Sequence, residues 1–261
     1  MRRISSLSIA LCALLGAGCA SRPASVPMPL RFDAGACLAQ TSTLLVLLPG
    51  ARSSIDEFER EGFMDAVRQR RLAVDMVRAD AHLGYYDDTL AVVRRLREDV
   101  IEPARARGYR SIWIAGISLG GLGGVLYAQA HPTELDGLVL IAPYLGERAT
   151  ATEIGNAGGL ARWQAPTGPV LPARSEPRES RDPALWRWLQ TQTQAAQDPA
   201  MKGPPLYLGY GQDDRFAFSH RLLAAALPAG RVATTPGGHD WPEWKRLWQS
   251  LLSTLPLPSC G

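Results

Sequence analysis

Residues 111–121 of this chain read Ser-Ile-Trp-Ile-Ala-Gly-Ile-Ser-Leu-Gly-Gly. The apolar run up to Ala115 predicts a buried strand, and the apolar residues after Gly121 predict a helix. A strand that breaks sharply into a helix strains the backbone of the turning residue, and small neighbours are needed around it. The pattern therefore predicts a nucleophile elbow that presents the hydroxyl of Ser118 at the end of a sheet. A plain Gly-Ser turn between a strand and a helix is the alternative.

A serine hydroxyl is a weak nucleophile and needs a base beside it. Among the four histidines of the chain, His239 follows a strand-like segment, lies in a Pro-Gly-Gly turn and precedes a predicted helix. That position leaves its side chain free to reach back over the sheet, so it is our candidate base. The other histidines are expected in a loop (His82), at a helix end (His131) and on the surface of a helix (His220).

The third member of such a site is a carboxylate that orients the histidine. The short apolar segment 205–211 predicts the penultimate strand, and Gln212-Asp213-Asp214 follows it. We favour Asp214 because its spacing after the strand glycine is the one that many hydrolases use. Asp213 stays open as the alternative, and a solvated acidic turn accounts for whichever carboxylate is not used.

The chain order Ser118, Asp214, His239 resembles that of the α/β-hydrolase superfamily, its esterase and lipase branches in particular. The resemblance covers about residues 43–255. The segment 237–244, Gly-Gly-His-Asp-Trp-x-x-Trp, is also similar to the histidine segment of esterases related to the enterochelin and feruloyl types. The resemblance implies a serine hydrolase that cleaves small-molecule carboxylic esters through an acyl-enzyme, without metal or cofactor. An acyltransferase using the same three residues and a non-catalytic binding lipoprotein on this scaffold are the alternatives.

The superfamily resemblance also implies an oxyanion hole made of two backbone amides. One would be the amide of Leu119, directly after the nucleophile. The other should come from the loop after the apolar run 44–48, where this chain has Pro49-Gly50 and the family often has His-Gly. Ala51 is the expected donor, with Arg52 as the alternative. The departure from the family pattern is tolerable because the backbone, not a histidine side chain, donates.

Strands and helices alternate along the chain, which predicts an α/β fold with a mostly parallel central sheet and helices on both faces, the α/β-hydrolase fold. A length of 261 residues with 46% hydrophobic content suits one domain. The expected strands are 43–49, 72–78, 111–117, 135–142, 205–210 and 231–235. The expected helices are 54–70, 88–107, 119–131, 183–197, 216–227 and 241–255.

The segment from about 144 to 204 does not fit this alternation, because it is rich in glycine and proline and too long for a plain loop. We expect a small cap insertion near the substrate edge of the sheet. Aromatic residues there and after the second predicted strand are candidate pocket walls, although ordinary packing is an equal alternative: Tyr85, Tyr86, Tyr144, Trp163, Trp186 and Trp188.

The N-terminus has the pattern of an export signal. A basic Met-Arg-Arg start and a short apolar run lead to Gly-Ala-Gly-Cys19, which resembles the lipobox of bacterial lipoproteins. We therefore expect a signal peptide over 1–18, a lipidated N-terminus and tether over 19–36, and the hydrolase domain over 37–261. Ordinary secretory cleavage is the alternative, because a glycine replaces the usual aliphatic residue of the lipobox. The expected location is the bacterial cell envelope, on the periplasmic side of the inner membrane and held by a lipid anchor.

Four cysteines remain to be assigned. Cys12 leaves with the signal and Cys19 is the expected lipidation site, so Cys37 and Cys260 are left in an oxidising compartment. We expect these two to form a disulfide, with two free thiols as the alternative. Metal binding has no support, because Cys-x-x-Cys pairs and clustered histidines are absent from the sequence.

The charge balance argues against a nucleic-acid partner. The formal net charge is +3, and basic and acidic residues are interleaved along the predicted helix 88–107. A near-neutral chain of this kind attracts polyphosphate backbones weakly. The sequence leaves the oligomeric state open.

Overall fold

A computed structural model describes residues 22–37, 41–87, 89–168, 178–195 and 203–261. Within these ranges the chain forms one seven-stranded sheet. The strands are β1 (Leu30–Asp33), β2 (Thr43–Leu48), β3 (Asp75–Ala79), β4 (Ser111–Ile117), β5 (Gly137–Ile141), β6 (Leu206–Gly211) and β7 (Val232–Thr235). Their order is β1-β3-β2-β4-β5-β6-β7, and every neighbouring pair is parallel except β1 with β3.

The helices follow the strands in alternation. They are α1 (Glu57–Arg60), α2 (Phe63–Gln69), α3 (Thr89–Leu96), α4 (Glu102–Ala106), α5 (Leu119–Ala130), α6 (Arg148–Asn156), α7 (Arg178–Ala195), α8 (Ala217–Ala224) and α9 (Trp241–Leu252). The predicted α/β-hydrolase fold is thus confirmed. In the parts of the chain described above, no helix combines the length and apolarity that crossing a membrane requires.

Side-chain alternation along the strands divides the core between the two faces of the sheet. In β2, Leu44, Val46 and Leu48 belong to one buried cluster, whereas Leu45 and Leu47 belong to the other. The first cluster is covered by α3, α5, α7 and α8, and the second by α2 and α9. Because β2 is buried on both faces, it is a continuous apolar run, as expected for an inner parallel strand.

Two of the expected helices are interrupted, each for a local reason. The helix expected over 54–70 divides into α1 and α2 at Gly62, which has a positive φ of 75°. The helix expected over 88–107 contains a π-helical turn, Arg97–Ile101, between α3 and α4. Pro103 has no amide proton to donate one turn back, so a wider turn before it is a reasonable accommodation.

The N-terminal part differs from the expected tether over 19–36. The segment around β1 joins the sheet, because β1 pairs with β3 over four residues. Met28 is buried in the first core cluster, and its amide donates to the carboxylate of Asp99 at 2.8 Å. This strand was not expected, because β1 is only four residues long and half of it is exposed, so its local pattern is weak. The expected signal peptide and the lipidation site Cys19 lie outside the described residues.

Cys37 and Cys260 form a disulfide, with their Cα atoms 5.4 Å apart and 223 residues between them in sequence. The C-terminal segment after α9 packs against the second core cluster, which includes Leu255 and Leu257. The Ala73 amide donates to the carbonyl of Pro258, and Leu72 pairs with Ser259 in an antiparallel bridge. The disulfide therefore joins the segment between β1 and β2 to the C-terminal segment.

The segment between β5 and β6 contributes to the first core. Trp163, Trp186 and Trp188 are buried in that cluster, with Trp186 fully excluded from solvent. Of the two alternatives considered for these tryptophans, the structure therefore supports core packing and not a pocket wall. The helix expected over 183–197 begins earlier, at Arg178, and retains Pro183 in its interior. Residues 169–177 and 196–202 of the expected cap lie outside the described residues, so the cap itself stays a prediction.

Candidate active site

Ser118 directly follows β4 and has a strained backbone conformation. Its φ is 52° and its ψ is −111°, and α5 begins at the next residue. The flanking glycines are required by close packing. A Cβ built on Gly116 would lie 2.2 Å from the carbonyl oxygen of Gly120, and one on Gly120 would lie 2.2 Å from that of Leu48. The strand-turn-helix geometry expected of a nucleophile elbow is therefore present.

The three side chains singled out from the sequence meet above the carboxyl ends of β4, β6 and β7. The Oγ atom of Ser118 lies 2.9 Å from Nε2 of His239. On the other side of the ring, Nδ1 of His239 donates to Oδ2 of Asp214 at 2.7 Å. The Asp214 side chain is fully buried and that of His239 is 10% exposed. A base in this position can accept the serine proton while the carboxylate holds its tautomer.

The structure also separates the roles of the two neighbouring carboxylates. Both oxygens of Asp214 have donors, because Oδ1 accepts the amide of Phe216 at 2.7 Å. The exposed Asp213 instead accepts the amide of Gly237 at 3.3 Å, and its own amide donates to the Gly237 carbonyl. Asp213 thus ties the end of β6 to the turn that carries His239, whereas Asp214 contacts the imidazole.

Two aromatic rings enclose the imidazole of His239. Phe216 and Trp244 each place their ring centroid 5.2 Å from that of His239, nearly perpendicular to it. Such edge-to-face contacts restrict the ring's rotation and exclude water from its sides. Trp244 belongs to the histidine segment noted in the sequence. Phe216 was missed there, and its place two residues after Asp214 is the only signal that pointed to it.

The turn after β5 is hydrogen-bonded to the elbow. The Ser118 amide donates to the carbonyl of Ile141, and the Tyr144 amide donates to the carbonyl of Ser118, both at 2.9 Å. Ala142, between these two contacts, has a positive φ of 46°. The elbow and this turn are therefore joined by reciprocal backbone hydrogen bonds, which helps to maintain two strained residues.

His220 corrects one sequence expectation. It was expected on the surface of its helix, but it is fully buried, and its Nε2 atom donates to the carbonyl of Pro143 at 2.8 Å. Its contacts explain the burial, because the rings of Tyr210 and Phe216 pack against it. Burial lowers the pKa of His220 to about 4, so it is neutral near pH 7.

The expected oxyanion donors lie beside the nucleophile. A Cβ built on Gly50 would be 3.7 Å from Cβ of Ser118, so the loop after β2 borders the elbow. The Ser53 amide donates to the Gly50 carbonyl, which makes Ala51 and Arg52 the central residues of a turn. Within the described residues, neither of their amides donates to a backbone carbonyl. The Leu119 amide is the first of α5, where helical partners are lacking.

A cavity of about 300 Å³ opens next to the elbow. Its apolar walls are Leu83, Tyr86, Leu119, Leu122, Leu126 and Leu185. Its polar lining comprises Tyr144, Glu147, Asp87, Arg181 and Asp182. Of the aromatic residues proposed as pocket walls, Tyr86 and Tyr144 line this cavity, whereas Tyr85 is fully buried in the first core.

The remaining histidines lie apart from this site. His82 accepts the amide of Gly84 through Nδ1, and His131 faces Glu134 at 3.5 Å. Across the described ranges, histidine, cysteine and carboxylate side chains form no group of three or more arranged to hold a metal ion.

The fold agrees with that of known hydrolases. A hydrolase from Pseudomonas aeruginosa PA01 superposes with a TM-score of 0.54 at 20% identity, covering 91% of this chain and 98% of that one. Est1E from Butyrivibrio proteoclasticus gives 0.55 at 15% identity, with 87% and 94% covered. Paleococcus ferrophilus monoacylglycerol lipase gives 0.51 at 15% identity, with 87% and 99% covered. At these identities the likeness shows the fold alone.

Sequence comparison identifies the family. No curated protein is significantly similar to the chain. Residues 77–214 match the family model Hydrolase_4, described as "Serine aminopeptidase, S33". The match covers more than half of the chain and includes the elbow serine and Asp214. The protein is a serine hydrolase of the α/β-hydrolase type, and its chain belongs to the Hydrolase_4 family.

Proposed function

We propose that this protein hydrolyses carboxylic esters through an acyl-enzyme intermediate. The observation that carries the proposal is the continuous contact from Ser118 Oγ to His239 Nε2 and from His239 Nδ1 to Asp214. Ser118 Oγ bonds to the acyl carbon while His239 takes its proton. The imidazolium gives that proton to the alcohol oxygen as the ester C–O bond breaks. Water then attacks the acyl-enzyme with His239 again as base, releasing the acid and restoring Ser118.

The negative charge on the carbonyl oxygen would be stabilised by the amides of Leu119 and Ala51, with Arg52 as the alternative second donor. The first amide lies at the N-terminus of α5, where the helix dipole also favours negative charge. The second belongs to the turn that borders Ser118. Each oxyanion donor typically contributes about 10²–10³-fold in kcat.

The direct test is hydrolysis of p-nitrophenyl butanoate by the purified wild type and by Ser118→Ala. We expect the variant to lose on the order of 10⁴-fold or more in kcat, since nucleophile removal leaves only binding and oxyanion stabilisation. Ser250→Ala, an exposed serine on α9, is the matched control and should retain wild-type rates. Equal rates for wild type and Ser118→Ala would refute the proposal.

Two alternatives use the same scaffold and are distinguished by simple assays. An acyltransferase would pass the acyl group to an added alcohol, so product analysis with and without an acceptor separates transfer from hydrolysis. A non-catalytic binding protein would not react with a fluorophosphonate probe. We expect labelling of the wild type at Ser118 and none of Ser118→Ala.

An aminopeptidase is the second candidate activity, and the family description favours it. Such an enzyme must bind a protonated amino group. The carboxylates of Glu147 and Asp182, which line the cavity, have the negative charge that this requires. Both carboxylates already accept one hydrogen bond, from the Tyr144 hydroxyl and from the Glu147 amide. We therefore favour the ester. Aminoacyl p-nitroanilides cleaved faster than p-nitrophenyl butanoate would reverse this choice.

We also propose that the protein is exported and anchored in the cell envelope by lipid at Cys19. The Cys37–Cys260 disulfide supports an oxidising compartment. Metabolic labelling with palmitate, followed by membrane fractionation, tests the anchor. The wild type should be labelled and sediment with membranes, whereas Cys19→Ser should do neither. Labelling of Cys19→Ser, or an unlabelled wild type in the soluble periplasmic fraction, would refute it.

A further inference from the structure

We propose that the 300 Å³ cavity beside the elbow binds the acyl chain of the ester, and that its preferred substrates carry an uncharged, apolar acyl chain of medium length, from butanoyl to octanoyl. The inference rests on the proposed ester hydrolysis and adds the substrate class to it. It is carried by the position of the cavity, the residues on its walls and the charges at its lining.

The cavity begins at the residue that follows the nucleophile. Leu119, Leu122 and Leu126 line it, and their spacing of three and four residues places them on one face of α5. Leu185 of α7 lies across the same cavity. Because Leu119 directly follows Ser118, we place the acyl chain of a substrate bonded to Ser118 along these leucines, where burial of its methylene groups is favourable.

The alcohol side of the ester is assigned elsewhere by the position of the base. His239 must give its proton to the departing oxygen, so the alcohol has to lie beside the imidazole. The rings that pack on His239 belong to Phe216 and Trp244, and neither lines the cavity. Tyr144 stands between the two regions, because it lines the cavity and its ring contacts Phe216.

The size of the cavity limits the length of the chain. A volume of about 300 Å³ is at the lower end of the range for small-molecule sites, roughly 300–1,000 Å³. One wall is held firmly, since a Cβ built on Gly123 would lie 2.3 Å from the Tyr86 hydroxyl. Tyr86 thus packs directly on α5. Acyl chains beyond medium length would have to extend past the cavity into solvent.

The charges of the lining select against acids. The cavity is lined by three carboxylates, of Asp87, Glu147 and Asp182, and by one guanidinium, of Arg181. A terminal carboxylate on the acyl chain would meet a net negative lining and lose its own hydration on entry. A half-ester of a dicarboxylic acid should accordingly be a poorer substrate than the neutral ester of the same chain length.

The experiment is a kcat/KM profile over p-nitrophenyl acetate, butanoate, hexanoate, octanoate and dodecanoate. The wild type should peak between butanoate and octanoate. Leu122→Trp reduces the cavity and should lower the octanoate-to-acetate ratio by about tenfold or more. Leu122→Ala enlarges it and should move the peak to longer chains. The matched control is Leu222→Trp, a similar partly buried leucine on α8 that does not line the cavity, and its ratio should equal that of the wild type.

The outcomes separate this inference from the proposed function. An ester-cleaving wild type whose profile is flat, or unchanged in both Leu122 variants, overturns the inference and leaves the function intact. A wild type that cleaves none of the esters overturns the function. In that case the thermal unfolding temperature of Ser118→Ala, measured with each ester, tests the cavity. p-Nitrophenyl octanoate should raise this temperature more than the acetate does. The difference between the two esters should be smaller in the double variant Ser118→Ala with Leu122→Trp. Equal shifts overturn the inference there as well.

Discussion

Asp214 and His239 form the most enclosed contact of the site: Oδ2 of the carboxylate accepts Nδ1–H of the imidazole at 2.7 Å, and the Asp214 side chain has no solvent exposure. The adjacent Asp213 has the same chemistry but is exposed, and its carboxylate accepts the amide of Gly237. Asp213 and Asp214 therefore differ in burial and in hydrogen-bond partner, so the same substitution at each position tests which carboxylate orients His239.

Asp214→Asn should reduce kcat for p-nitrophenyl butanoate by about 10³–10⁴-fold, because an amide no longer enforces the tautomer in which Nε2 accepts the Ser118 proton. Asp213→Asn retains an oxygen for the Gly237 amide and should cost less than tenfold. Equal losses in the two variants, or a larger loss for Asp213→Asn, would contradict the assignment of Asp214 as the orienting acid.

Gly120→Ala should destabilise the fold by about 1–3 kcal/mol, the usual cost of overpacking. The added Cβ would lie 2.2 Å from the carbonyl oxygen of Leu48, which is backbone of an inner strand and cannot move aside cheaply. Gly230→Ala is the control, since nothing lies within 4 Å of its Cβ position. Urea unfolding followed by circular dichroism measures both variants, and similar midpoints would show that the elbow tolerates a side chain.

His220 should make the protein less stable as the pH falls below about 6.5. Its ordinary pKa of 6.5 applies to the unfolded chain, whereas burial lowers the folded value to about 4. The hydrogen bond to the Pro143 carbonyl and the nearby carboxylate of Asp214 raise this pKa, by smaller amounts than burial lowers it. His239 and Arg221 lower it slightly further. Between these two values the unfolded state binds the proton first, so the free energy of unfolding decreases with acidity by up to about 3 kcal/mol. Above pH 6.5 this contribution is constant.

Urea unfolding at pH 7.5 and pH 4.5, for the wild type and His220→Gln, measures that dependence. The variant lacks the titrating group, so its loss of stability between the two pH values should be smaller than that of the wild type. His220→Asn should behave in the same way, because it also lacks the imidazole. Identical pH dependence in wild type and variants would show that burial does not suppress protonation of His220.

Removal of the Cys37–Cys260 disulfide should lower the free energy of unfolding by up to about 5 kcal/mol, since it closes nearly the whole described chain and restricts the unfolded state. The test compares urea midpoints of the wild type with and without a reductant. The double variant with serine at both positions should match the reduced wild type and be insensitive to reductant. A wild type whose midpoint is unchanged on reduction would rule out this contribution.

Much of the fold could be read locally. The apolar strand of β4, the glycines around Ser118 and the apolar start of α5 are neighbours in sequence, so their steric demands appear in a single segment. The alternation of strands and helices likewise follows from local periodicity. The order Ser118, Asp214, His239 then indicated the superfamily, because parallel strands bring their carboxyl ends to one edge.

Other features depended on contacts between distant segments, and local patterns could not reveal them. Sequence spacing favoured Asp214 but left Asp213 open, and the path of the chain after β6 directs Asp214 to the imidazole. From the sequence, His220 was expected on the surface of its helix. In the structure it is buried, because the turn after β5 places the carbonyl of Pro143 beside it and the rings of Tyr210 and Phe216 cover it.

By itself, then, the sequence determined the elbow, the strand-helix alternation and the chain order of the three reactive residues, since these rest on sterics and periodicity within short segments. Tertiary structure settled the choice of Asp214 over Asp213, and it alone decided the pairing of β1 with β3 and the enclosure of a leucine stripe on α5 as a cavity. The reason is physical: burial and hydrogen-bond partners are properties of how separate segments pack, and packing selects one partner among several that local chemistry allows.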